Sequence, residues 1–302
     1  MSREKVVKNR GFFGKYKDKK DGAVRGYDIN SPKVKVFCIL IMLICFAFVI
    51  ISVFPIVWVF LASFKDIREF TRNVTIVPDS FDLEKIKSTW QALKFGKYYL
   101  NSFKAVGGGV VCAVVFNGLL AYGFAVLRPK GYKIAYGLVM WSLLIPATTS
   151  IVAVFRNINM VGLYRSFVPL WLAFGANAFY VVLFKEFFEE IPGELLEAAK
   201  LDGAGVLKVF TNIMLPLSKP IIMVVVIFAL TASWSDFLLP YLVLNGSGKE
   251  TVMVKLFAFK DTPTDAVSVL RAAMFAIIPP TILFAFFQKQ ITDGAAAGAV
   301  KG

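Results

Sequence analysis

Along the chain, long uncharged apolar stretches alternate with short charged connectors. Residues 36–62 carry no charge between Lys35 and Lys65, and residues 105–127 none between Lys104 and Arg128. Residues 134–155 follow Lys133 and end at Arg156, and residues 166–184 run from Arg165 to Lys185. Residues 220–244 are interrupted only by Asp236, and the last stretch, 272–287, begins nearer Ala266 and carries Arg271 near one end. A helix that crosses a bilayer needs about 20 apolar residues at about 1.5 Å rise each. The pattern therefore predicts an all-α integral membrane protein with six spans, which places both termini on one side.

Charge sets the orientation. The leader up to Lys35 holds eleven Lys and Arg against four acids, and the turn 128–133 has three bases and no acid. In the six-span scheme the side of the termini carries 20 Lys and Arg, the opposite loops 13, and Lys104 sits at a boundary. Short positive loops stay cytoplasmic, so both termini are expected in the cytoplasm. Residues 1–35 read as a basic leader and 36–302 as one membrane domain. The first apolar stretch far exceeds the roughly 7–15 residues of a signal-peptide core, and no A-x-A site follows it. So close to a span, such a leader reads as a membrane-surface tail rather than a nucleic-acid arm.

Composition agrees and removes function classes. The 302 residues are 57% hydrophobic and 18% charged, against about 45–50% and 25% in soluble domains. No histidine is present, which excludes His-based acid–base and nucleophilic catalysis and the commonest metal ligand. Cys38, Cys45 and Cys112 all lie in apolar runs, forming neither a disulfide framework nor a thiolate metal site. The leader accounts for +7 of the net +14, so the positive excess describes orientation rather than an acidic substrate.

Proline occurs in or beside most spans, at Pro55, Pro146, Pro169, Pro240, Pro279 and Pro280. Each removes a backbone donor, so the freed groups need a neighbour or a watery cavity. A transport path and a packed bundle both fit that pattern. Gly107, Gly108 and Gly109, with Gly118 and Gly123 beyond, permit close helix approach. Tyr98, Tyr99, Tyr132 and Tyr136 cluster at expected span ends, where amphipathic rings suit headgroups.

The loop 185–219, between spans four and five, differs in character. It holds six acids and four bases, which disfavours an interfacial helix on an anionic leaflet. Pro192 suits a first helical turn, Glu194 and Glu197 the N-terminal half of a helix, and Gly203 a positive φ. Leu195, Ala198 and Ala199 form a narrow apolar stripe, and Val206, Val209, Phe210 and Ile213 repeat the spacing. The loop reads as a helix, a glycine turn and a second helix stopped by Pro216.

Glu197-Ala198-Ala199, then Gly203 after three residues, then Ile213-Met214-Leu215-Pro216 after nine more, resembles the EAA loop of bacterial ABC importer permeases. The surroundings resemble the carbohydrate-uptake branch, in particular the maltose-type second permease subunit. Asn101-Ser102-Phe103 opens span two, and Leu120-Ala121-Tyr122-Gly123-Phe124-Ala125 closes it, with Arg128 after. Ile191-Pro192-Gly193-Glu194-Leu195 precedes the loop, Trp234-Ser235-Asp236-Phe237 lies in span five, and Gly298-Ala299-Val300-Lys301-Gly302 ends the chain. The likeness covers residues 33–302; the leader is longer and more basic than the family's.

The resemblance implies a non-catalytic subunit with no cofactor of its own. It would pair with a second permease, dock two ATP-binding subunits, receive solute from an extracytoplasmic binding protein, and bind no nucleic acid. Carried onto this chain, Glu197, Ala198, Ala199, Asp202 and Gly203 would form the ATPase-coupling element. Leu215 and Pro216 would set the return into span five, and the C-terminal Gly-Ala-Val-Lys-Gly would reach toward the ATPase.

Asp236 is the one acid inside an apolar stretch, where a charge costs at least about 2.5–3.5 kcal/mol. The family usually has Asn there. Trp234 beside it offers a flat face to a sugar ring, so both are substrate-path candidates, with Asn117 and Asn177 as weaker ones. Contact with solute, a place at the outer mouth and pairing with the second permease all remain open for Asp236. Gly246-Ser247-Gly248-Lys249-Glu250-Thr251 imitates the end of a phosphate-binding loop, but Val243 and Glu250 stand where that loop needs Gly and Ser or Thr. The rival functions are an importer of the same type for another solute, a secondary transporter and a membrane enzyme. The topology is testable: a cysteine placed at Lys200 is expected to react with reagent from the cytoplasmic side only, and labelling from the periplasm would overturn the orientation.

Overall fold

The computed structural model describes residues 32–72, 75–259 and 264–299, and all regular structure among them is helical. Most of the basic leader and the last three residues lie outside the described residues. The chain divides into two compact units, Met1–Trp58 and Val59–Gly302. The first holds most of helix α1, Pro32–Ala62, which beyond Lys35 is apolar on every side and is exposed along residues 39–57. An all-round apolar helix of about 46 Å is a membrane span.

The second unit opens with α2 (Ile67–Arg72) and α3 (Leu83–Ala92), both short and partly charged. Next comes α4, Phe95–Tyr122, prolonged by a π-helical turn at Gly123–Leu127. The third apolar stretch, expected as one span over 134–155, is not continuous. It divides into α5 (Tyr132–Ser142) and α6 (Ile151–Met160) around Pro146 and a 3₁₀ turn. Each piece is only about 15–16 Å long, and Pro146 has no N–H with which to carry the helix through.

The fourth stretch forms α7 (Val168–Gly175) and α8 (Ala178–Glu189), bent by 43°. Two helices of the following loop, α9 (Gly193–Leu201) and α10 (Val206–Leu217), lead through an 81° bend into α11 (Lys219–Ser235). The fifth stretch breaks at Asp236 and resumes as α12 (Leu238–Leu244), followed by α13 (Val252–Ala258) and α14 (Ala266–Ala299). Among the described residues, three single helices are long and apolar enough to cross a membrane, or five if each bent pair counts as one span. Six continuous spans are not formed, because α5 and α6 stop short of the bilayer thickness.

Helix α4 is the axis of this unit, packing against α7, α8 and α11. Its buried residues Ala105, Gly109, Ala113, Asn117 and Ala121 recur every fourth position, so one ridge of small side chains faces the neighbours. The glycines set the spacing. A Cβ on Gly108 would lie 2.3 Å from the Trp171 ring, and one on Gly175 2.8 Å from the Phe116 ring. The α4–α7 contact is therefore closer than any residue with a side chain would allow.

The break between α7 and α8 leaves two backbone groups without helical partners, and Asn117 takes both. Its amide nitrogen donates to the Phe174 carbonyl at 2.8 Å, and its carbonyl oxygen accepts from the Asn177 N–H at 2.9 Å. Asn177 in turn caps α8, accepting from the Tyr180 N–H at 3.2 Å. An Asn117→Leu substitution, close in size, strands both groups, each at about 1–3 kcal/mol. We expect a fall of several degrees in the thermal midpoint of the detergent-solubilised protein, and an unchanged midpoint would show that the bend has other support.

Candidate functional site

The segment from α8 to α11 forms a helical hairpin with an inner and an outer face. Helix α9 ends in a Schellman turn: the Ala204 N–H reaches the Ala199 carbonyl at 2.9 Å, and the Gly203 N–H that of Lys200 at 3.0 Å. Gly203 stands at φ 74°, the left-handed conformation such a turn demands. Glu194 in the first turn of α9 and Lys200 in the last both suit the helix dipole.

Ala199, Val209, Phe210 and Met214 are buried against Tyr122, Phe184 and Phe188 at the ends of α4 and α8. The Tyr122 hydroxyl also donates to the Val206 carbonyl at 3.2 Å. Glu197, Ala198, Asp202 and Gly203 all lie on the outer face. Ala199, only 7% exposed, belongs to the inner face and offers no surface to a partner. Leu201 is 89% exposed and Leu207 67%, so the outer face carries apolar side chains beside its charges. Leu215 is half-buried and Pro216 exposed, just before the 81° bend. At the bend itself the buried Ser218 hydroxyl has no hydrogen-bond partner among the described residues.

A charged brace joins α8, which leads into the hairpin, to the end of α4 and to α5. Arg128 follows the π turn of α4, its Nη2 3.2 Å from Glu189 Oε1, while Lys185 Nζ lies 2.7 Å from Glu189 Oε2. The Lys185 ammonium also stands 4.7 Å from the centre of the Tyr136 ring. One carboxylate thus ties the ends of α4 and α8, and Lys185 extends the tie to α5. Arg128 was visible in the sequence as the residue closing the second apolar stretch; its partner, 61 residues away, was not.

The four candidate path residues separate into different roles. Asn117 and Asn177 stand together at the α7–α8 break. Trp234 is buried, edge-on to Tyr99 with ring centres 5.5 Å apart, and its indole N–H donates to the Ala276 carbonyl at 3.1 Å. That carbonyl is the one Pro280 leaves free four residues on. The Tyr99 hydroxyl donates to the Phe275 carbonyl, freed in the same way by Pro279. The two prolines of α14 are therefore matched by two aromatic donors.

Asp236, half-buried, stands at the break where α11 ends and the chain resumes as α12. A cavity of about 150 Å³ lies elsewhere, between α11 and α14, lined by residues such as Phe228, Thr231, Pro280 and Phe284. Its lining is too apolar to hold a polyhydroxylated solute. Among the described residues no group of three or more Cys, Asp and Glu is arranged to hold a metal ion.

Comparison with known proteins places this geometry. Residues 35–294 match the model of the family described as "Binding-protein-dependent transport system inner membrane component". The chain is 26% identical over 257 residues to the diacetylchitobiose uptake system permease protein of Streptomyces coelicolor, covering 83% of this chain and 85% of that one. It is 29% identical to the arabinooligosaccharides transport system permease protein of Bacillus subtilis, covering 90% and 99%. It is 28% identical to the sn-glycerol-3-phosphate transport system permease protein of Yersinia pestis, covering 88% and 97%. Its fold matches a chain of a solved bacterial ABC transporter involved in alginate import, with TM-score 0.75 and 22% identity, covering 86% of this chain and 98% of that one.

The proline–aromatic match is testable. Trp234→Phe keeps most of the ring and leaves the Ala276 carbonyl unpaired, so a loss of about 1–3 kcal/mol is expected. Restoring a donor with Pro280→Ala should shrink the loss in thermal stability when the two changes are combined. An equal loss in both backgrounds would show that Trp234 acts by some other contact.

Proposed function

We propose that the chain, which belongs to the binding-protein-dependent transport system inner membrane component family, is the permease subunit of an ATP-driven importer for a sugar or oligosaccharide. The observation that carries this reading is the α9–α10 hairpin, anchored inward on α4 and α8 while it presents Glu197, Ala198, Leu201, Asp202 and Leu207 outward. Such a surface suits docking into a cleft of a separate ATP-hydrolysing subunit. This chain then needs no catalytic residue and binds no cofactor. It is a multi-pass membrane protein, with the hairpin and both termini in the cytoplasm.

A second, homologous permease completes the path, two ATP-binding subunits dock below, and a solute-binding protein delivers cargo from outside. ATP binding draws the two ATPases together. The hairpins move with them, and the contacts at Tyr122 and at Arg128 carry the displacement into α4. Glu197 is suited to pair with a basic or hydroxyl group of the ATPase, and Leu215 and Pro216 shape the return into α11.

Carbohydrate is the favoured cargo because the diacetylchitobiose and arabinooligosaccharide permeases match along most of their length. The sn-glycerol-3-phosphate relative supports a second reading, a phosphorylated polyol. Asn117, Asn177 and Trp234 spend polar atoms on backbone groups of this chain. Asp236, at the break of the fifth apolar stretch, is left as the path residue able to accept from solute hydroxyls.

Gly203 provides the test. A Cβ there meets nothing within 4 Å, so a substitution strains only the backbone, at about 1–2 kcal/mol, and Asn tolerates that conformation better than Val. We expect a complex isolated through a tag on this chain to contain an ATPase and a second permease. Gly203→Val should cut uptake at least about tenfold with the chain still in the membrane, and Gly203→Asn should cut it less. Normal uptake by the Val variant would overturn the coupling role, and purification of the chain alone would overturn the importer.

A further inference from the structure

The segment 246–251, which imitates a phosphate loop, is a tight turn between α12 and α13, held by the start of α4. Asn101 Nδ2 donates to the Glu250 carbonyl at 3.0 Å, and the Val252 N–H to the Ser102 hydroxyl at 2.9 Å. Five cations belong to this fixed turn or to the segments that meet it. Lys97 Nζ is 3.3 Å from where a Cβ on Gly248 would lie, and Lys94 precedes it by one helical turn. Lys249 Nζ donates to the Arg165 carbonyl at 2.9 Å, which brings the 165 backbone to the same turn. Lys255 Nζ lies 5.6 Å from the centre of the Tyr98 ring.

None of these five forms an ion pair among the described residues. The acid of the turn, Glu250, accepts from the Gly248 N–H at 3.1 Å. Lys94 at φ 53° and Arg165 at φ 61° are two of the three non-glycine residues with positive φ among the described ones. Such conformations persist only where surrounding contacts impose them. With Glu250 as the one acid within the turn, the cluster keeps an excess of positive charge and its backbone is held in place.

Its location follows from α4. That helix has 28 residues, about 42 Å of length, and its far end touches the hairpin through Tyr122. The cations at its start thus lie across the membrane from the hairpin, on the face a binding protein approaches. We propose that this cluster is a docking surface for an acidic patch on the solute-binding protein. The proposal rests on the importer reading. The family depends on such a protein, and a solved bacterial alginate ABC transporter with a chain of similar fold is in complex with an alginate-bound periplasmic protein. A small anionic solute fits less well, because the cations are spread over several segments rather than converging on one point. Surface charges of one sign act chiefly on encounter and so on apparent affinity.

The test uses the whole complex in lipid nanodiscs, titrated with the solute-binding protein of the same importer, with stimulated ATP hydrolysis as readout. Lys94→Glu/Lys97→Glu alters two side chains that bond nothing within the described chain; Lys94→Gln/Lys97→Gln is the milder companion should the reversal assemble poorly. The half-maximal concentration of binding protein is expected to rise about tenfold in the reversal, and less in the neutral variant, with the maximal rate unchanged. Raising salt from about 0.1 M to 1 M shortens the screening length from about 10 Å to 3 Å, and should weaken the wild type more than the reversal. Equal half-maximal concentrations, or equal salt dependence, would overturn the docking surface. So would an effect seen with anionic lipid and absent in phosphatidylcholine, which would assign the cations to headgroups. Absence of stimulation in the wild-type complex would instead bring down the importer reading and the docking surface with it.

Discussion

A backbone amide or carbonyl left unpaired in an apolar interior costs more than almost any single contact gains, and this constraint organises the second unit. Its helices break repeatedly, and at several breaks a side chain from another element supplies the missing partner. Asn117 bridges the gap at Phe174 and Asn177. Tyr99 and Trp234 meet the carbonyls freed by the proline pair of α14. The Arg271 guanidinium donates to the Ser63 and Lys65 carbonyls just beyond the end of α1, where a cation also suits the helix dipole. Polar residues that look like ligands for a solute are thus engaged in keeping bent helices intact.

Those partnerships mark the boundary of what the sequence made legible. The apolar stretches were visible because burial in lipid needs nothing beyond run length. The hairpin turn was visible because Gly203 answers a purely local demand on φ, and the glycines of α4 because close approach leaves no room for a side chain. The break at Pro146 was half-visible: the proline marks the place, but nothing local decides between a kink and a full interruption. The donors were hidden. Trp234 and Ala276 are 42 residues apart and Tyr99 and Phe275 176, so their pairing exists only once α4, α11 and α14 have packed. Trp234 accordingly read as a face for a sugar ring when its N–H was the group in use.

The same difference separates the two alanines of the hairpin. Spacing put Ala198 and Ala199 on one stripe, yet they divide between faces. A nine-residue helix lying on a core turns one neighbour out and the next in. Small size at Ala199 serves the fit to the chain's own interior, and small size at Ala198 leaves the outer face open. The stripe was legible, but not which part of it faces out, because that depends on where α4 and α8 end.

Helix α4 carries the consequences from one end of the unit to the other. Asn101 and Ser102 hold the cationic turn at its start, Asn117 supports the α7–α8 bend in its middle, and at its end Tyr122 meets the hairpin and Arg128 meets α8. Its neighbours hold the breaks, whereas α4 runs 28 residues without one before its terminal π turn. Compliance therefore lies in the helices around it and stiffness in α4 itself. A displacement of the hairpin enters this rod by two routes, through α10 at Tyr122 and through α8 at Glu189. A rod loaded at both sides of its end rotates or translates as a body, and the neighbours whose backbone it holds must follow at the places where they are already broken.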